Sequence, residues 1–164
     1  MQTLNFDIFE TRLDTINKEK ELKSEKHKLL KSFFEKWKES LASHNEYGFQ
    51  FEMPKLGKAD IIIHDSGKII TVQAETSNWQ NGMVEASKHS YYAHQSILLL
   101  KDPPPKLALR SLTTFESISV GLWTYNEATN QIIKHHTPKL TTPRHDRMHQ
   151  NALQKINASK LLFD

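Results

Sequence analysis

The spacing of the apolar residues changes near residue 48, and this change constrains the fold more than any other feature of the sequence. Between residues 6 and 43 the apolar positions recur every three or four residues, which is typical of an amphipathic helix. From Phe49 onward they alternate with polar residues or form short β-branched runs, which is typical of strands. A chain that changes period in this way needs both helices and a sheet, so we expect an α/β protein.

The helical segment carries two apolar stripes. The first predicts an N-terminal helix and consists of Phe6, Phe9, Leu13 and Ile16. The second predicts a helix that packs on the rest of the protein and consists of Leu29, Leu30, Phe33, Phe34, Trp37 and Leu41. Asn45 and Gly48 are typical of a helix end, so the helical segment is expected to stop before the first strand.

Short apolar runs separated by turn residues predict the elements that follow. The predicted strands are residues 49–53, 59–64, 68–75, 96–100, 118–125 and 131–136, and the predicted helices are residues 79–94, 106–115 and 144–160. The turn at residues 65–68 lies between two strands, which predicts an antiparallel hairpin. The strand–helix–strand order over residues 68–100 predicts a parallel crossover. We therefore expect a mixed central sheet flanked by helices on both faces.

The length of 164 residues is that of one ordinary domain, and the sequence shows neither an internal repeat nor a flexible linker. We expect a single domain over residues 1–164. It divides into an N-terminal helical extension (1–24), a core (25–140) and a C-terminal helix (141–164).

Composition excludes several classes of protein. The chain has no cysteine, so disulfide scaffolds, thiolate zinc sites and cysteine nucleophiles are excluded. Its apolar runs are far shorter than the roughly 20 residues that cross a bilayer, so no membrane association is expected. Asp7 and Glu10 precede the first basic residue, which is unlike a signal peptide. We expect a cytoplasmic protein.

Positive charge is concentrated in the last third of the sequence. Residues 101–164 hold nine basic and five acidic side chains, which favours a polyanionic partner such as DNA, although an ordinary solvated surface has the same composition. Trp79 either packs the start of its helix or stacks on a base. The predicted phosphate contacts are Arg110, Lys139, Arg144 and Arg147.

Three polar side chains lie at the ends of neighbouring predicted strands. Asp60 is at the start of one strand of the hairpin, and Gln73 and Glu75 are on a common face at the end of the other. If the hairpin is tight, two carboxylates and one amide oxygen meet at one edge of the sheet, and such oxygens suit Mg²⁺. The alternative is that Asp60 is a strand-start residue and that Glu75 is simply exposed.

The segments Gly57–Ile63, Val72–Trp79 and Ala86–Leu100 resemble the PD-(D/E)XK superfamily, the restriction-endonuclease-like nucleases. The similarity covers roughly residues 25–140. It implies a restriction-endonuclease-like α/β fold and Mg²⁺- or Mn²⁺-dependent hydrolysis of DNA. It also implies that Asp60 and Glu75 are metal ligands and that Gln73 is a neutral third contact.

This chain departs from the family pattern at two positions. The family has Glu-X-Lys where this sequence has Gln73-Ala74-Glu75, so we expect weaker Mg²⁺ binding. Neighbouring residues can supply the missing groups: Glu85 a carboxylate, and Lys58, Lys88 or His89 a substitute for the lysine.

The resemblance therefore leaves two functions open. One is a metal-dependent DNA endonuclease with an altered site. The other is a nuclease-derived module that has lost catalysis and binds DNA or a protein partner, with a homodimer also open. A third interpretation is an α/β domain unrelated to nucleases.

Overall fold

The computed structural model describes residues 2–3 and 21–161 of the chain. The predicted N-terminal helix with Phe6, Phe9, Leu13 and Ile16 lies outside the described residues. Within them, no helix combines the length and the apolar character that a membrane crossing needs.

The centre of the protein is a seven-stranded sheet whose strands lie side by side in chain order. The strands are β1 (Gln2–Thr3), β2 (Glu46–Met53), β3 (Gly57–Asp65), β4 (Lys68–Ala74), β5 (Gln95–Lys101), β6 (Val120–Asn126) and β7 (Gln131–His136). The pairs β2–β3, β3–β4 and β6–β7 are antiparallel, and β1–β2, β4–β5 and β5–β6 are parallel. The predicted mixed sheet, its central hairpin and its parallel crossover are therefore confirmed.

Helices cover both faces of this sheet, as predicted. They are α1 (Glu21–Trp37), α2 (Trp79–His89), α3 (Lys106–Arg110), α4 (Leu112–Ser117) and α5 (Asp146–Leu161), and a short 3₁₀ turn (Lys38–Ser40) follows α1. The apolar stripe of α1 packs on Ile61, Ile63, Val72 and Ala74 of the hairpin. Residues of α2 to α5 pack with the side chains of the opposite face. Burial of these two apolar surfaces is the main stabilising contribution.

Two predicted helices differ from the observed ones. The helix predicted over residues 79–94 ends at His89, because the chain tightens into a turn in which the Tyr91 and Tyr92 amides donate three residues back. This turn buries the Tyr92 ring against Phe51, with the ring centroids 5.5 Å apart. The helix predicted over residues 106–115 is interrupted at Ser111, which lacks helical backbone angles and separates α3 from α4.

Helix α2 approaches the sheet most closely at Gly82. A Cβ atom at this position would lie 2.8 Å from Leu98 Cδ1 and 2.9 Å from Glu75 Cβ, both closer than real Cβ contacts allow. A residue without a side chain is therefore needed for α2 to lie directly over the end of β4.

We expect Gly82→Ala to lower the free energy of unfolding by about 1–2 kcal/mol, because overpacking outweighs the better helix propensity of alanine. Urea unfolding measures the change. Gln80→Ala, at an exposed position of the same helix, is the control for propensity alone. Stabilisation by Gly82→Ala would contradict the close approach.

Candidate functional site

Asp60 lies where strands β3 and β4 stop pairing. Their register runs from Asp65 and Lys68 to Ile61 and Val72, and Asp60 is the next residue of β3. Its carboxylate accepts a hydrogen bond from the Ala74 amide at 2.8 Å, so a side chain takes over where the backbone pairing ends. The Asp60 side chain is only 4% exposed, so this carboxylate is an internal group of the sheet.

Strand β2, which pairs with β3 on the side away from β4, is irregular at the position opposite Asp60. The β2–β3 register passes from Phe49 and Ile61 to Phe51 and Ala59 without pairing Gln50 and Asp60. Gln50 has a positive φ of 53°, and the faces of β2 exchange here, since Phe49 packs on the α1 side and Phe51 on the opposite side. The Gln50 Nε2 atom lies 3.5 Å from Asp60 Oδ1 and donates to it.

An ammonium group from α1 completes the surroundings of Asp60. Lys26 Nζ lies 3.1 Å from Asp60 Oδ2, and the Lys26 side chain is 31% exposed. Burial raises the pKa of Asp60 above its ordinary value, although Lys26, the Ala74 amide and Gln50 all act to lower it. Sequence reasoning missed Lys26. The only signal was its position one turn before the buried Leu29 and Leu30.

Gln73 lies on the opposite face of β4 from the α1 core. Its neighbours Val72 and Ala74 belong to that core, so alternation directs Gln73 toward the side of α2. The side chain is buried, and its Oε1 atom has no hydrogen-bond partner. The structure thus places Asp60 and Gln73 on neighbouring strands, with Asp60 contacting α1 and Gln73 facing α2.

Glu75 follows the last residue of β4 and caps the loop that leads into α2. Its Oε1 atom accepts hydrogen bonds from the Thr76 amide at 3.0 Å and the Ser77 amide at 3.2 Å. The side chain also lines a cavity of about 380 Å³ at the ends of β4 and β5, together with Trp79, Lys101, Asp102 and the three prolines Pro103–Pro105. Trp79 stacks on Phe115 with ring centroids 6.0 Å apart, so it packs the start of α2.

The residues predicted to replace the family lysine have other partners. Lys88 Nζ lies 3.0 Å from Glu85 Oε1, and Lys58 Nζ lies 3.7 Å from Glu52 Oε2. Glu85 lies directly over Gly57, since a Cβ there would be 3.0 Å from its Oε2 atom.

His89 is fully buried, and its ring contacts the backbone of Lys58. Burial lowers the pKa of His89 to about 4, so the ring is neutral at pH 7. A neutral, enclosed imidazole cannot supply the positive charge of the family lysine.

As they are arranged here, these residues do not fit Mg²⁺ or Mn²⁺. Such ions need about six oxygen ligands, and no three His, Asp or Glu side chains gather among the described residues. The Asp60 carboxylate already contacts the Lys26 ammonium and accepts a hydrogen bond from the Ala74 amide. The Glu75 carboxylate accepts a hydrogen bond from the Thr76 amide. The unpartnered Gln73 Oε1 is one neutral oxygen and does not make a site by itself.

Of the predicted phosphate contacts, Arg144 lies where residues 141–145 pair with the turn after α2, and Lys139 and Arg147 flank this segment in sequence. The Thr141 amide donates to His94 O, and the Arg144 and His145 amides donate to Ser90 O and Tyr91 O, each at 3.0 Å. This pairing places the Arg144 guanidinium 5.9 Å from the centre of the Tyr91 ring.

We call the group Tyr91, Lys139, Arg144 and Arg147 the Tyr91–Arg144 surface. All four residues are exposed, and Tyr91 is 40% exposed. Arg144 also donates to the Ile118 carbonyl at 3.2 Å, which fixes its orientation. Arg110 is exposed at the end of α3 and is not part of this surface.

No family model matches this chain, and no curated protein matches it. Two solved structures are similar at a low level. A protein of unknown function from Silicibacter pomeroyi, SPO1766, has a TM-score of 0.48 and 14% identity, over 72% of this chain and 77% of that one. SfsA of Pyrococcus furiosus, solved in complex with Ca²⁺, has a TM-score of 0.38 and 13% identity, over 65% of this chain and 61% of that one. These similarities assign neither a family nor an activity.

Proposed function

We propose that this chain is a nucleic-acid-binding protein on a nuclease-like α/β fold, and that it contacts the phosphate backbone through the Tyr91–Arg144 surface. The carrying observation is the pairing of residues 141–145 with the turn after α2, which brings the Arg144 guanidinium to the exposed Tyr91 ring, with the exposed Lys139 and Arg147 close by in sequence. Residues 139–147 contain three basic side chains and one acidic side chain. A local positive charge of this kind attracts phosphates.

The geometry of Arg144 and Tyr91 supports contact with nucleic acid over a merely solvated surface. The Arg144 guanidinium is held between the Ile118 carbonyl and the Tyr91 ring, so little side-chain freedom remains to be lost on binding. An exposed aromatic ring beside an arginine can stack on a base while the guanidinium holds a phosphate.

The order of elements supports the nuclease-like part of the proposal. The hairpin β3–β4, the helix α2 and the parallel strand β5 follow one another as the sequence resemblance implies. We propose no cleavage step, because the carboxylates of Asp60 and Glu75 do not fit the metal ion that such a step would use. Binding to a protein partner, or to a second copy of this chain, stays a prediction.

Salt dependence tests the binding surface. We expect DNA affinity in EDTA to fall with rising salt, and the Lys139→Gln/Arg147→Gln variant to have a shallower slope. The expected change is about 0.9 per lost phosphate contact in a plot of log K against log salt. Fluorescence anisotropy with a labelled duplex and a labelled single strand measures both slopes.

The matched control is Lys28→Gln/Lys31→Gln, which removes the same charge from exposed positions of α1, on the other side of the sheet. Equal loss in both double variants would show that only net charge matters and would contradict a defined surface. Plasmid cleavage in Mg²⁺ or Mn²⁺ that disappears in Asp60→Asn would replace the proposal with the nuclease alternative.

A further inference from the structure

We infer that the Lys26 ammonium is the counter-ion of the Asp60 carboxylate, so that this carboxylate balances its charge without a divalent cation and does not bind one. The inference concerns the interior between α1 and the β3–β4 hairpin. It stands whether or not the Tyr91–Arg144 surface binds nucleic acid.

The contacts at Asp60 leave no coordination position for a metal ion on its Oδ2 atom. Oδ2 lies 2.8 Å from the Ala74 amide nitrogen and 3.1 Å from Lys26 Nζ. A carboxylate oxygen that accepts two such donors has used the lone pairs that a cation would need. The other oxygen, Oδ1, faces the amide nitrogen of Gln50, which is also a donor.

Charge also opposes a second cation at this place. A divalent ion on Asp60 would lie within a few ångströms of the Lys26 ammonium, and like charges repel strongly in a buried, low-dielectric region. One carboxylate cannot offset three positive charges. The remaining acids on the α2 side do not compensate, since Glu85 is paired with Lys88 and Glu75 caps its loop.

The packing of α1 keeps Lys26 within reach of Asp60. It lies one helical turn before Leu29 and Leu30, which are buried in the core that α1 forms with the sheet. The packing of α1 on the sheet therefore places the Lys26 ammonium beside Asp60.

Titration with Mn²⁺ tests the inference on the full-length protein, with the free-ion electron paramagnetic resonance signal as readout. We expect wild type and Asp60→Asn to give the same titration. Lys26→Glu replaces the ammonium by a second carboxylate, and we expect it to bind Mn²⁺ at least about tenfold more tightly than wild type. The double variant Lys26→Glu/Asp60→Asn should lose this gain.

Lys31→Glu is the control, because it makes the same charge change at an exposed position of the same helix. Lys26→Asp, which also supplies a second carboxylate, provides a second measurement if Lys26→Glu does not fold: added Mn²⁺ should raise its unfolding temperature and leave that of wild type unchanged. Stoichiometric Mn²⁺ binding by wild type that is lost in Asp60→Asn would overturn the inference. So would Mn²⁺ affinities of the Lys26 variants no higher than that of wild type.

Discussion

Replacing Lys26 by methionine is expected to lower the free energy of unfolding at neutral pH by about 3–5 kcal/mol. Methionine keeps the packing of the side-chain stem but removes the ammonium, which leaves the Asp60 carboxylate buried without its cation. Removing one partner of a buried ion pair costs more than the pair contributes, because the remaining charge is not solvated. Urea unfolding at pH 7 measures the loss.

The change from Asp60 to Asn should be far milder, since the asparagine oxygen can still accept from the Ala74 amide. We expect the double variant Lys26→Met/Asp60→Asn to recover most of the stability lost in Lys26→Met, with a coupling of about 1–3 kcal/mol in the double-mutant cycle. Lys31→Met is the surface control. A loss in Lys26→Met no larger than in Lys31→Met would contradict a buried pair.

Much of the fold follows from local patterns in the sequence. The alternation of residues 70–74 places Ile70, Val72 and Ala74 on one face, and these residues do pack against α1. The apolar stripe of α1 likewise identifies the side of the helix that is buried. Period, turn residues and helix caps are short-range features, so they can be recognised without knowing which distant segments meet.

The surroundings of Asp60 could not be predicted in the same way. Lys26 lies among many Lys and Glu residues of α1, and its position one turn before Leu29 and Leu30 does not by itself identify a partner in the sheet. Its contact with Asp60 depends on how α1 crosses the hairpin and on the irregular position of Gln50 in β2. Both are consequences of tertiary packing, which the local pattern does not contain.

The Tyr91–Arg144 surface was also only partly predictable from the sequence. The basic residues Lys139, Arg144 and Arg147 were recognised from charge, but Tyr91 was placed inside a helix predicted to run to residue 94. The helix ends at His89 because burial of Tyr92 outweighs the helical preference of the segment. The resulting turn exposes Tyr91 and offers the carbonyl groups on which residues 141–145 dock.

Acidification from pH 7 to pH 4 is expected to destabilise the protein by about 3 kcal/mol through His89 alone. Burial lowers the pKa of His89 from 6.5 to about 4, so between these values the unfolded chain binds a proton that the folded chain does not. The stability that the neutral ring contributes is therefore complete above pH 6.5 and is lost as the pH falls toward 4. Urea unfolding between pH 4 and pH 7 measures the slope.

The pKa shifts of two other groups also affect stability on acidification, with opposite signs. Burial and the neighbouring His149 and Lys68 lower the pKa of His94 to about 4, which adds to the acid destabilisation. The raised pKa of Asp60 acts the other way, because the folded protein then holds a proton that the unfolded chain has released. His89→Leu isolates the histidine contribution. The variant should lose less stability than wild type on acidification, because its unfolding free energy depends on pH with about one proton fewer in the slope. An unchanged slope in His89→Leu would mean that the ring of His89 is solvated in the folded protein, against its complete burial at the end of α2.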